Sequence, residues 1–207
     1  MMPLEELIQP FLDELAGGTP TPGGGSAAAA VGAMGAALVS MVCNLTLGKE
    51  KFTDVEAQIK DTLAQAEALR TELTQLIDED AAAFNTVMAA FQLPKTTDEE
   101  KATRSQAIQT ATQKATLTPL ATARACAKVI ELGQLVAEKG NPNAISDVGA
   151  GVVFAQAGLK AAALNVLINL PSIKDEAFVS THRAELDHIL TKHDLADQVY
   201  QSIKSKI

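Results

Sequence analysis

The chain has 207 residues, enough for one good-sized core, and a formal net charge of −8. Hydrophobic residues make up 47% of it but aromatics only 3%, so Ala, Leu, Val and Ile must do the burying, which suits close-packed helices better than aromatic-rich strands. The acidic charge and the lack of stacking faces exclude a nucleic-acid partner, and Cys43 and Cys126, far apart and outside any CxxC pair, suggest neither a disulfide framework nor a zinc knuckle.

The opening Met1-Met2-Pro3-Leu4-Glu5-Glu6 is acidic and lacks the basic stretch of a signal peptide, so a cytoplasmic, reducing location is expected. Leu4, Leu7, Ile8, Phe11, Leu12 and Leu15 recur at helical spacing and predict an amphipathic helix over 3–16, bent at Pro10 and ended by Gly17-Gly18. Residues 17–25 are too rich in Gly and Pro for regular structure. Ser26 then reads as the N-cap of a helix over 27–47. From Gly23 to Gly48 there is no charge, a length that could span a bilayer. Its content of Ala, Gly and Ser favours a central soluble helix instead, with Ala28, Gly32, Gly35 and Ala36 as a smooth face for a neighbouring helix.

Residues 53–92 contain neither Pro nor Gly. Ile59, Leu63, Ala66, Arg70, Leu73, Ile77, Asp80, Phe84, Val87 and Phe91 alternate in steps of four and three. They form a heptad-like seam along the 53–92 stretch, which is about 60 Å long at ~1.5 Å per residue. Arg70 and Asp80 are its two charged intruders. Thr96-Thr97-Asp98-Glu99-Glu100 opens a long helix to about residue 137, kinked at Pro119. The turn Gly140-Asn141-Pro142-Asn143 follows, and Ser146-Asp147 opens a second nearly uncharged helix to about residue 170. A last helix over about 174–204 carries all three histidines. The expectation is one all-α domain over 1–207, a bundle of about six helices with two nearly uncharged ones buried, and no internal repeat.

Two carboxylates stand out. Asp80 occupies a seam position where an apolar residue is expected; burial there raises a carboxyl pKa and suits it to proton transfer, although an interhelix ion pair would explain it equally. Asp147 begins a buried helix, where the helix dipole alone could justify it, but Asn141, Asn143 and Ser146 gather further polar atoms beside it. Asn165 shares a face with Asp147 at about 27 Å along the helix, so both serve one pocket only across a subunit contact or along a long ligand. Asn169 reads as an interhelix hydrogen-bonding amide. The Pro22–Ser26 segment resembles a phosphate loop only superficially, lacking both the GK[ST] ending and a preceding strand. His182, His188 and His193 lack the spacing of a helical metal face and read as solvated. No nucleophile elbow is present.

These residues, taken in order, resemble the signature of the cyclodeaminase/cyclohydrolase family. They are Thr19-Pro20-Thr21-Pro22-Gly23-Gly24-Gly25-Ser26 leading to Leu45-Thr46-Leu47-Gly48-Lys49, then Asp80-x-x-x-Phe84, Leu93-Pro94-Lys95 and Pro119-Leu120. Gly140-Asn141-Pro142-Asn143-Ala144-Ile145-Ser146-Asp147 and Ala163-Leu164-Asn165-Val166-Leu167-Ile168-Asn169-Leu170 complete the set. Pro10 and Glu50 depart mildly from that pattern. The resemblance implies an all-α bundle that dimerises, with a folate site near the subunit contact and no metal. It implies conversion of 5-formimidoyltetrahydrofolate to 5,10-methenyltetrahydrofolate with loss of ammonia, a formiminotransferase being supplied by a separate chain. The alternative is hydrolysis of the methenyl compound to 10-formyltetrahydrofolate. A non-catalytic folate-binding or assembly role is the reading of another class. Asp80 and Asp147 become the proton shuttle and the pterin or cation anchor, in either order. Gly24, Gly25, Ser26, Asn141, Asn143, Ser146 and Asn165 become candidate substrate contacts, and Lys49 or Lys51 a hold on the glutamate or polyglutamate tail.

Overall fold

A computed structural model describes residues 3–207; Met1 and Met2, and the side chains of Leu4 and Leu7, lie outside what is described. The described chain is all helix and turn, without a strand. Its helices are α1 (Leu4–Leu15), α2 (Gly24–Thr46), α3 (Glu56–Phe91), α4 (Asp98–Lys139), α5 (Ile145–Asn169), α6 (Glu176–Leu190) and α7 (Lys192–Lys204). The single helix expected at the C-terminus is divided at Thr191 into α6 and α7. α1 runs on through Pro10, and α4 through the buried Pro119.

Local chemistry sets several of these boundaries. At the start of α4 the Thr97 hydroxyl accepts from the Glu100 N–H at 3.2 Å, and the Glu100 carboxylate accepts from the N–H of Thr97 at 3.0 Å, a reciprocal capping box. Asp175 caps α6 by accepting from the Phe178 N–H. The cap of α2 is Gly23, not Ser26. Ser26 lies inside the first turn because its hydroxyl is engaged by α3 and does not turn back to its own helix.

The uncharged α2 and the nearly uncharged α5 run antiparallel through the middle of the bundle, flanked by α3 and α4. By length and mean hydropathy, 1.8 for Gly24–Thr46 and 1.6 for the stretch around α5, both are apolar enough to cross a membrane. Here they supply the core instead: Val39, Val42, Val148, Val152, Leu159 and Val166 are fully buried. The small-residue face of α2 meets α5 of the same chain at backbone distance. A Cβ on Gly35 would sit 2.7 Å from the Gly151 carbonyl oxygen, and one on Gly151 would sit 3.0 Å from that of Gly35. A Cβ on Gly158 would come within 2.9 Å of the Ala28 carbonyl oxygen.

α6 and α7 are fastened to α4 by the Arg124–Glu185 pair and by Lys192 with Glu131 at 2.8 Å. His182 and His193 are half-buried rather than solvated. A ring nitrogen of His182 lies 2.8 Å from the Phe178 carbonyl, and Nδ1 of His193 lies 3.2 Å from Asp197. His188 is exposed, as expected.

Candidate active site

One cleft of about 330 Å³ opens where the Gly/Pro loop, the first turn of α2, the last third of α3 and the last turns of α5 converge. α4 closes its floor with Thr112, Ala115 and Pro119. Four sequence-predicted residues come together there. Gly24 and Gly25 bring backbone into the wall, Asp80 projects from α3, and Asn165 from α5. The loop carries a cis peptide bond between Thr21 and Pro22.

Asp80 is half-buried, while Arg70, the other charged intruder of the seam, is exposed and pairs with Glu67 of its own helix at 2.6 Å. The seam therefore admits one carboxylate, not an ion pair. Among the described residues no charged side chain faces Asp80, and burial pushes its carboxyl above the usual carboxylate range, opposed by the hydroxyl and then the backbone N–H of Ser26. The Ser26 hydroxyl lies 3.1 Å from Asp80 Oδ2 and 3.0 Å from the Ile77 carbonyl oxygen. Ser26 itself is fully buried behind the carboxylate and does not line the cleft. A Cβ on Gly25 would overlap the Asp80 carboxyl, so glycine at this position is what lets the acid approach the start of α2. The free N–H groups of that first turn favour its ionised form.

The Asn165 amide donates to the Ala161 carbonyl at 2.8 Å and lies beside Gly24 in the cleft wall. Asn169 donates to the Ala115 carbonyl of α4 at 3.1 Å, the interhelix role expected for it, and also lines the cleft.

The remaining predicted residues gather at the opposite end of the bundle. Lys49 and Lys51 are exposed beyond the end of α2, Lys51 lying 4.7 Å from the Phe52 ring centroid. Asn141 is buried and committed to the fold: its amide donates to the Leu45 carbonyl at 3.0 Å, and its oxygen accepts from the Asn143 N–H. Asn143 and Ser146 are exposed, and Asp147 is half-buried in the first turn of α5. Since α2 has 23 residues, the two ends are about 33 Å apart along it at ~1.5 Å per residue. Within one chain, Asp80 and Asp147 do not share a site.

Sequence reasoning did not find Thr112 or Ile168. α4 is long and nearly isotropic in character, so its own pattern does not say which turn faces the loop. Ile168 reads as core but is 75% exposed at the cleft rim. Among the described residues no three of His, Cys, Asp and Glu cluster in a way that could hold a metal ion.

Comparison with known proteins gives a consistent picture. Residues 7–188 match the family described as formiminotransferase-cyclodeaminase. The chain is 53% identical over 203 residues to the methenyltetrahydrofolate cyclohydrolase of Methylorubrum extorquens, covering 98% of each. It is 34% identical over 187 residues to the formimidoyltransferase-cyclodeaminase of Rattus norvegicus, covering 90% of this chain but 35% of that one, so it spans about a third of that relative's length. The crystal structure of formiminotetrahydrofolate cyclodeaminase from Thermotoga maritima superposes with a TM-score of 0.80 at 31% identity, over 96% of this chain and 94% of that one.

Proposed function

The chain belongs to the formiminotransferase-cyclodeaminase family, and from that membership we propose that it is a folate one-carbon enzyme working at the carbon that bridges N5 and N10, as a methenyltetrahydrofolate cyclohydrolase. The observation that carries the reading is a lone, half-buried carboxylate in a cleft built from the loop and helix ends that define the family signature. The choice of hydrolysis rests on the 53% identity to a cyclohydrolase whose whole length this chain matches.

The chemistry follows from Asp80. Burial makes its carboxylate a stronger proton acceptor than an exposed one, which suits it to taking a proton and then returning it. Water attacks the cationic methenyl carbon and a C–O bond forms, with Asp80 accepting a proton from that water. The C–N5 bond then breaks, Asp80 returns its proton to N5, and the carbinol hydroxyl loses its hydrogen to solvent as the formyl C=O forms. One water is consumed and one proton released. The negative charge of Asp80 also stabilises the cation before attack. The helix N-terminus and the Asn165 amide are placed to hold polar edges of the pterin.

The second reading, cyclodeamination, is favoured by the Thermotoga maritima structure, whose chain this one covers almost entirely. There N10 attacks the carbon of the protonated formimidoyl group and a C–N10 bond forms. Asp80 takes the N10 proton and passes it to the resulting –NH2, and the C–N bond breaks to release ammonia and leave the methenyl cation. A separate formiminotransferase would supply the substrate.

Among the described residues the cleft has no cation for the glutamate tail of a folate, and Lys49 and Lys51 lie at the far end. A homodimer would answer this. α2 and α5 share an open apolar face, with Met34, Met41 and Leu45 on one and Phe154 and Leu164 on the other. A two-fold axis across these antiparallel helices brings the Lys49 and Asp147 end of one copy toward the Asp80 cleft of the next. The buried free thiols, Cys43 pushed up to about 11 and Cys126 to about 12 by burial, suit a reducing, cytoplasmic setting.

The test is a two-substrate absorbance assay on purified protein. Accelerated loss of the methenyl chromophore from 5,10-methenyltetrahydrofolate alone establishes the hydrolase. Its appearance from 5-formimidoyltetrahydrofolate, with ammonia, establishes the cyclodeaminase. No change with either overturns both.

A further inference from the structure

The Ser26 hydroxyl has one hydrogen and stands between two acceptors. Asp80 Oδ2 is 3.1 Å away and the Ile77 carbonyl oxygen 3.0 Å. An ionised carboxylate and a carbonyl can only accept, so both compete for the same hydrogen. Ser26 is fully buried, which leaves water no room to settle the competition. While Asp80 is charged, the charge-assisted bond is the stronger one and takes the hydrogen. The Ile77 carbonyl keeps its own bond within α3 and is not orphaned. Once Asp80 is protonated, its O–H can donate to the Ser26 oxygen, which frees the Ser26 hydrogen to turn to Ile77. Each protonation state then has a satisfied arrangement, reached by one hydroxyl rotation without moving a heavy atom.

Resting on the reading of Asp80 as the proton-transfer group, we infer that Ser26 is a positioning residue whose hydroxyl switches between Asp80 and the Ile77 carbonyl as the carboxyl loses and gains its proton. The switch costs the site little reorganisation in either direction, which is what a group that must both accept and return a proton requires. Nothing else titratable competes for this role. From the loop, α2, α4 and α5 the groups facing the cleft are Thr21, the α2 backbone, Thr112, Asn165 and Asn169. On α3 itself, Asp78 and Glu79 are exposed.

The experiment is a carbon-13 NMR pH titration of the Asp80 carboxyl, assigned by the signal missing from Asp80→Asn, with the Ile77 backbone carbonyl followed in parallel. In the unaltered protein the Ile77 carbonyl shift should move with the same midpoint as Asp80. In Ser26→Ala that response should vanish, and the Asp80 midpoint should rise by about one pH unit as the ionised form loses its donor. The acid limb of the kcat/KM profile should rise with it, KM staying nearly constant. An Ile77 carbonyl blind to Asp80 in the unaltered protein overturns the inference and needs no variant. So does an unchanged Asp80 midpoint in a Ser26→Ala protein with native circular dichroism, even if turnover falls, because Ser26 would then be merely structural. If both NMR signatures appear while the kcat/KM profile ignores them, the switch stands and the assignment of Asp80 as proton-transfer group falls.

Discussion

Asp80 sits in tension between stability and use. Its folded-state pKa is raised, so it favours the fold while protonated, below the ordinary carboxylate range near pH 4. That contribution is lost as pH rises through the raised value, and at neutral pH its ionisation weakens the fold. Asp80→Asn keeps an acceptor for Ser26 and removes the buried charge. The expected outcome is a Tm above that of the unaltered protein at pH 7, the gap closing below pH 4, together with a fall in kcat of roughly 10²–10⁴-fold. Thermal scans at several pH values and initial rates check the two halves. A variant retaining full turnover would remove Asp80 from the chemistry. The sequence placed Asp80 in the seam by spacing alone. It could not separate Asp80 from Arg70, because only the fold shows that Arg70 finds Glu67 at the surface while Asp80 meets a helix terminus.

At the scale of elements, the molecule is organised by two helices with little or no charge. Their Gly and Ala faces bring the backbones together, and this contact aligns the start of α2 with the end of α5, which is where the cleft forms. Gly35→Ala would drive a methyl into the Gly151 carbonyl, and should cost about 1–3 kcal/mol by forcing the helices apart. Denaturant midpoints would report it; an unchanged midpoint would mean that α2 and α5 are not in backbone contact. Both helices were legible because α2 has no charge over its whole length and α5 only Asp147 and Lys160, a pattern with few explanations. The cap of α2 was misplaced for an equally physical reason. A serine before an apolar run looks like a cap, and its engagement by a helix fifty residues away leaves no local trace. The break at Thr191 was missed because it is made without Gly or Pro.

For the whole molecule, spacing along α5 separated Asp147 from Asn165, but nothing in the sequence said at which end Asp80 or the lysines lie. Asp80, Gly24, Gly25 and Asn165 meet at one end, whereas Asp147, Asn143, Ser146 and the lysines sit at the other. A residue's chain position does not say which end of an antiparallel pair it occupies until the pair is known. If a second copy completes the site, Met34→Lys with Met41→Lys on the open face of α2 should halve the sedimenting mass from twice 21.7 kDa and lower turnover with it. An unaltered protein that sediments as a single chain while fully active would refute the dimeric site.

The glycine contacts between helices have a consequence for how this sequence can drift. Where a glycine is opposed by a side chain, as Gly32 by Cys126 and Gly133 by Val152, a larger residue can be rescued by trimming its neighbour. Gly35 and Gly151 are opposed by each other's backbone, and no second substitution can trim a carbonyl. In a pairwise mutational scan the first two positions should show strong compensation and the last two none. That would leave Gly35 and Gly151 as fixed points around which the rest of the core is free to change.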